Sequence, residues 1–166
     1  MKITFAAILI SVFSVFCFAQ DNSIEKDFEK NKSKYKIERL SMGEDASSGY
    51  DYVIYRNKSE IVKYRVIWSS SAGPNPRVED YYFNDSKLVL LVKSILSKKL
   101  VKTAAKGRVV ALQIEEKLFF INEKLSFWTE KGKPVPNTDK RWKDKEAEAL
   151  EQAKGELDNY KFVKDN

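Results

Sequence analysis

Between residues 50 and 130 apolar and polar positions follow a period of two, and on either side the period becomes helical. Val62, Tyr64, Val66 and Trp68 alternate with Lys63, Arg65 and Ile67, which reads as a strand with one buried face. Val89-Leu90-Leu91-Val92 is apolar on both faces and suits a central strand. Val109 to Ile114 and Leu118 to Ile121 read the same way. Before this region, Ile24, Phe28, Asn31 and Tyr35 fall at spacings of four, three and four, predicting a short helix over Ser23 to Lys36. After it, Pro134-Val135-Pro136 makes a stiff connector, and Asn137, Thr138 and Asp139 offer helix caps. Trp142, Ala149, Leu150, Ala153, Leu157 and Tyr160 then share one face of a long amphipathic helix, weakened locally by Gly155.

A loose internal repeat runs through the strand region. Ile54-Tyr55-Arg56-Asn57-Lys58-Ser59 matches Tyr81-Tyr82-Phe83-Asn84-Asp85-Ser86, and Phe119-Phe120-Ile121-Asn122 is a shorter third copy. Each has an aromatic or apolar strand end, then an Asn, then a charge, then a new apolar run. Asn tolerates the left-handed backbone of tight hairpins, so the expectation is three hairpins with Asn57, Asn84 and Asn122 at their turns. The uneven spacing of the copies argues against a regular solenoid or propeller. The fold expected is therefore α+β. An antiparallel meander of six to eight strands is packed by the long C-terminal helix, with the short N-terminal helix alongside. The alternative is a small closed β-barrel, which would enclose a ligand cavity.

The first nineteen residues have a different pattern. Lys2 is followed by an apolar run from Ile3 to Phe18, and Cys17-Phe18-Ala19 places small residues three and one positions before a cut. This is the pattern of a signal peptide over 1–19, leaving a single domain at 20–166 and a secreted or periplasmic destination. The run is shorter than the ~20 residues that span a bilayer, so no transmembrane segment is expected after cleavage. Phe16 stands where bacterial lipoproteins carry Gly or Ala, which speaks against a lipidated Cys17.

The aromatic-aromatic-x-Asn-x-x-Lys-Leu hairpin of Tyr81 to Leu88, behind a leader ending in Phe18-Ala19-Gln20, resembles small exported β-meander proteins of Gram-negative bacteria with no assigned function. The resemblance covers Tyr50 to Trp128 and implies no activity.

Beyond residue 19 the chain has neither cysteine nor histidine. That removes a cysteine or histidine nucleophile, a histidine base, a Cys/His zinc site and any disulfide. No GxxxxGK, GxGxxG, GxSxG or EF-hand pattern is present. No catalytic, metal-binding or cofactor-binding residue is named by the sequence, and no cofactor is expected. Carboxylates are the one remaining route to acid/base chemistry. Glu79-Asp80 and Glu115-Glu116 each sit on a strand beside a turn, and one of each pair could meet across the sheet as in a two-carboxylate glycosidase. The plainer reading places them on the sheet's wet face and edge.

The formal charge is +6, with both signs interspersed along the chain. The local excess is Lys98, Lys99, Lys102, Lys106 and Arg108, in a stretch with no acidic residue. It is too short and too poor in aromatics for a nucleic-acid platform. A solvated loop is the plain reading, and a contact for an anionic envelope component is the functional one. Ser69 to Pro76 is the most irregular loop. Trp68, Tyr81 and Tyr82 flank it and could line a ligand pocket. Together these features point to an exported, non-catalytic binding protein of the cell envelope. A carboxylate-dependent hydrolase is one alternative, and a carrier of lipid or another apolar ligand, should the sheet close, is the other.

Overall fold

A computed structural model describes residues 23–45, 48–70, 76–103 and 107–165. The segment expected to be a signal peptide, with its expected cut, Lys106, and residues 71–75 of the irregular loop lie outside the described residues. The chain divides into two units between Tyr35 and Lys36. In the first, helix α1 (23–31) tightens into a 3-10 turn over Lys32–Lys34, and Phe28 stacks on Tyr35 with ring centroids 5.5 Å apart. The helix expected to reach Lys36 therefore stops earlier, because Lys36 already belongs to a strand.

The second unit is an eight-stranded antiparallel meander in which every strand pairs with its sequence neighbours. β1 (Lys36–Asp45), β2 (Ser48–Asn57), β3 (Glu60–Ser70) and β4 (Arg77–Asn84) make one half. β5 (Lys87–Thr103), β6 (Gly107–Ile121), β7 (Lys124–Glu130) and β8 (Lys133–Pro134) make the other. Helix α2 (Trp142–Asp165) follows. β1 and β8 each pair on one side only, so the sheet is open. The closed barrel is not formed. β8 is two residues long and ends in Pro134, which has no N–H to donate, so it can serve as an edge but not as a closing strand. The carrier reading loses the enclosed cavity on which it depended.

One face of the sheet carries the core that α2 covers. Tyr52, Ile54, Tyr64, Val66, Tyr81, Leu91, Leu118, Phe120, Leu125 and Trp128 are buried there together with Ala149, Ala153 and Tyr160 of the helix. The two alanines let the helix lie close to the large aromatic rings. Trp128 and Trp142 meet with ring centroids 6.1 Å apart, so the N-terminal end of α2 is anchored on β7 as the apolar stripe implied.

Three hairpins share a device that the sequence repeat reflects imperfectly. Their two-residue turns are Lys58-Ser59, Asp85-Ser86 and Asn122-Glu123, with positive φ at Lys58, Asp85, Ser86, Asn122 and Glu123. Asn57 and Asn84 end strands and precede their turns, while Asn122 occupies one, so the third copy is offset by one residue from the alignment made on Asn. Three residues after each turn, Val62, Val89 and Ser126 are skipped by the pairing as β-bulges. A bulge shifts which residues face the core. On β3 it is Ile61, not Val62, that packs with Tyr64, Val66 and Trp68. A fourth hairpin turns through Lys131 (φ 49°) and Gly132 (φ 74°).

Candidate functional site

The register aligns Val66, Glu79, Lys93, Glu116 and Glu130 as one rung across β3 to β7, on the face under α2. The helix answers this polar rung with polar side chains. Gln152 donates from Nε2 to Glu79 Oε2 at 2.7 Å and accepts from Lys93 Nζ at 2.8 Å. Tyr81 donates its hydroxyl to the same Glu79 oxygen at 2.5 Å. Lys93 also lies 3.5 Å from Glu148, and Lys145 bridges Glu148 (3.0 Å) and Glu116 (3.5 Å). The result is a continuous network tying α2 to β4, β5 and β6. Within it Glu148 is held below the usual carboxylate range by Lys145 and Lys93, against the opposing effect of burial.

Beside this network lies a groove of about 690 Å³, lined by Trp68, Arg77, Glu79, Lys93, Glu148 and Glu151 among others. A second recess of about 320 Å³ shares Arg77, Glu79 and Lys93 and adds Glu115, Glu116 and Glu130. Arg77, which is exposed, lines both. Trp68 lies edge-on to Tyr50 at 5.8 Å, and its Nε1 is buried with no hydrogen-bond partner among the described residues.

The carboxylates singled out in the sequence separate by face. Glu79 and Asp80 are both buried, 6% and 7% exposed, and not on a wet face. Glu79 points toward α2 and already accepts two hydrogen bonds at one oxygen. Asp80 points the other way, where Arg65 binds it through Nε and Nη2 at 2.6 Å each and Lys63 lies 3.2 Å from it. Glu115 is the bulged residue of β6, and Glu116 faces Lys145. Glu79 and Glu116 do share a face, with Lys93 between them on the same rung. Among the described residues no cluster of acidic side chains is arranged to hold a metal ion.

The three aromatics proposed as a pocket lining are likewise divided. Trp68 lines the groove. Tyr81 is fully buried beneath α2. Tyr82 is on the opposite face, accepting a 2.7 Å hydrogen bond from Lys63 Nζ.

The basic stretch is not a loop over most of its length. Lys98, Lys99 and Lys102 belong to β5 and Arg108 to β6, with Lys102 and Arg108 directly paired. β4 accompanies β5 only as far as Leu96, whose N–H reaches Pro76 O at 2.9 Å, and β7 meets β6 no earlier than Glu115. Beyond those points the two strands pair only with each other among the described residues, forming a ribbon that extends past the sheet. Ser97, Lys98 and Lys99 oppose Ala111 alone in a wide bulge between the Leu96–Leu112 and Leu100–Val110 pairs. At the root of the ribbon Leu112 and Ile114 are exposed, 41% and 42%.

Sequence reasoning placed Tyr160 on the apolar stripe of α2 but missed the polar partners that fasten the helix, because they become neighbours only through the fold. Glu38 lies on β1, Arg56 on β2, and Gln152, Glu156 and Tyr160 on α2. No helix among the described residues is long and apolar enough to cross a membrane. Family models, curated proteins and solved structures yield no match to the chain.

Proposed function

We propose that this is a non-catalytic binding protein exported to the cell envelope, and that the β5–β6 ribbon is the part that meets an anionic partner. The observation that carries the reading is the ribbon itself. It leaves the sheet with Lys98, Lys99, Lys102 and Arg108 on its two strands and no acidic residue between Ile95 and Ile114. A two-stranded ribbon is marginally stable alone in water, so a surface that neutralises its charge also favours its order. The carboxylates argue for the same side of the choice between binder and hydrolase. Glu79 is buried and hydrogen-bonded, and Glu116 is matched by Lys145, as expected of a structural network.

The test is sedimentation of the full chain with vesicles of acidic lipid against vesicles of zwitterionic lipid, over a salt series. Binding to the acidic vesicles alone, weakening as salt rises, is expected. Lys98, Lys99, Lys102 and Lys106 changed together to Gln should reduce it at least tenfold with the thermal midpoint unchanged. Binding indifferent to the four changes removes the ribbon from the proposal. Turnover on a glycan, ester or peptide panel, lost in Glu79→Gln or Glu115→Gln, would instead establish the hydrolase. Export predicts an intact mass for residues 20–166, with Gln20 free or cyclised. A lipidated Cys17 in the mature protein would contradict that part.

A further inference from the structure

We infer that a proton strengthens the fastening of helix α2 to the sheet: Glu156 docks more tightly as the neutral acid than as the carboxylate, and its ionisation loosens the helix over the face beneath. Glu156 lies on the covered side of α2 and is 8% exposed. The carboxylate opposite is Glu79 of β4, 6% exposed. The donors at this interface serve Glu79: the Tyr81 hydroxyl and the Gln152 amide both go to its Oε2. Glu156 Oε2 has no hydrogen-bond partner among the described residues, and neither has the buried hydroxyl of Tyr64.

The groups that face Glu156 are, from β2, β3 and β4, Tyr52, Tyr64, Tyr81 and Glu79. None is a cation. The cations Lys93 and Arg56, which hold other residues of α2, are committed elsewhere. Lys93 binds Gln152 and Glu148, and Arg56 binds Glu38 and the Tyr160 hydroxyl. An ionised Glu156 would therefore be a second buried negative charge beside Glu79 with no counter-charge, the arrangement that desolvation penalises most. Burial, and then the charge of Glu79, raise the Glu156 carboxyl from 4.5 to about 7.

The sign follows from linkage. A carboxyl raised in the folded state holds its proton in the folded chain and loses it in the unfolded one over the window between the two values. The contribution of this proton is complete below about pH 4.5 and is lost as the pH climbs to about 7. Above that, this group adds no further pH dependence. The effect reaches the candidate site, because α2 supplies one wall of the groove and Gln152 of its network.

Hydrogen exchange of the α2 amides in the full chain, corrected for intrinsic rates, tests the inference at pH 5 and pH 8. Protection around Ala149 to Tyr160 should fall at least tenfold at the higher pH, while the buried strands β4 and β5 change less. Glu156→Gln mimics the neutral acid and should keep α2 protected at both pH values. Glu79→Gln removes the facing charge and should shrink the fall without changing its direction. Equal protection of wild-type α2 at pH 5 and pH 8 would overturn the proposal. So would a full-sized fall in Glu156→Gln, or, should that variant not fold, in Glu79→Gln.

Discussion

The hydroxyl of Tyr160, in the second turn from the end of α2, donates to Glu38 Oε2 on β1, 122 residues earlier in the chain. The same hydroxyl accepts from Arg56 Nη2 at 2.8 Å, and Arg56 Nε lies 3.4 Å from Glu38. The far end of the helix is thereby clamped to the first hairpin while its near end rests on Trp128. Chiefly through the Tyr160 hydrogen bond, and further through Lys36 and Arg56, the Glu38 carboxyl is held at about 2 against the smaller effect of burial. A carboxyl lowered on folding stabilises above its unfolded value near 4.5, and that contribution is lost as the pH falls toward 2. Tyr160→Phe should cost about 1.5–3 kcal/mol at pH 7 in urea unfolding, the usual value of a lost bond to a charged group. The acid limb of the unfolding curve should move up toward pH 4.5. Wild-type stability with a wild-type acid limb would show that the clamp is not coupled to folding.

Ending the chain after Pro136 removes the cover from Tyr64, Tyr81, Leu91, Leu118 and Trp128, all fully buried. Each large apolar side chain re-exposed forfeits about 1.5–3 kcal/mol, and several together exceed the ~5–15 kcal/mol stability of an ordinary domain. The expected product aggregates or binds ANS as a molten state, read by size-exclusion chromatography and near-UV circular dichroism. A monomeric truncation that unfolds cooperatively would make α2 a peripheral arm.

How far the fold could be read from the chain depended on how local the signal was. The caps and apolar stripe placed α2 correctly at Trp142, because helical periodicity is written in consecutive turns. The alternation on β3 located Tyr64, Val66 and Trp68 but misassigned Val62, since a bulge shifts the parity without changing composition. The separate strands expected at Val109–Ile114 and Leu118–Ile121 are one strand, β6, with its bulge at Glu115. Lys63, Glu79 and Asp80 looked wet because they are charged, yet all three are buried. Lys63 and Asp80 meet across neighbouring strands and Gln152 reaches Glu79 from α2, so of these contacts only the bond from Tyr81 to Glu79 joins residues close in sequence.

Gly155 offers a gain in stability from propensity alone. It is an exposed interior residue of α2, and a Cβ built there meets nothing within 4 Å. Gly155→Ala should therefore stabilise the fold by up to about 1 kcal/mol, since alanine gives up less backbone entropy in a helix. The check is the urea midpoint at constant m-value. A loss of stability would mean that the helix bends at this position to fit the sheet.

The β6–β7 turn holds Asn122 and Glu123 at φ of 51° and 61°, the left-handed values of a type I′ turn. Asn suits the first position, while Glu carries a Cβ strain at the second. Glu123→Gly completes the favoured Asn-Gly pair and should add roughly 0.5–1 kcal/mol. Asn122→Val places a β-branched residue in the same conformation and should cost about 1–2 kcal/mol. Thermal midpoints that do not separate the two variants in this order would show that the turn does not set the register of the hairpin.

On the face of the sheet away from α2, Asp80 lies against two cations, Arg65 and Lys63, of which Lys63 is only 3% exposed. Lys63 also donates to the Tyr82 hydroxyl and sits 4.4 Å from its ring centroid. Asp80→Asn keeps the shape and removes the charge that both cations face. Because the lysine is held out of water, the loss should be about 3 kcal/mol, at the lower end for a buried pair since Tyr82 still accepts from Lys63. Lys63→Met in the same chain removes the buried cation that Asp80→Asn leaves behind. The double variant should therefore recover a good part of the loss, giving a coupling of at least about 1 kcal/mol in a double-mutant cycle. Strict additivity of the two changes would mean that Arg65 alone carries the interaction with Asp80 and that Lys63 is stabilised by the aromatic ring.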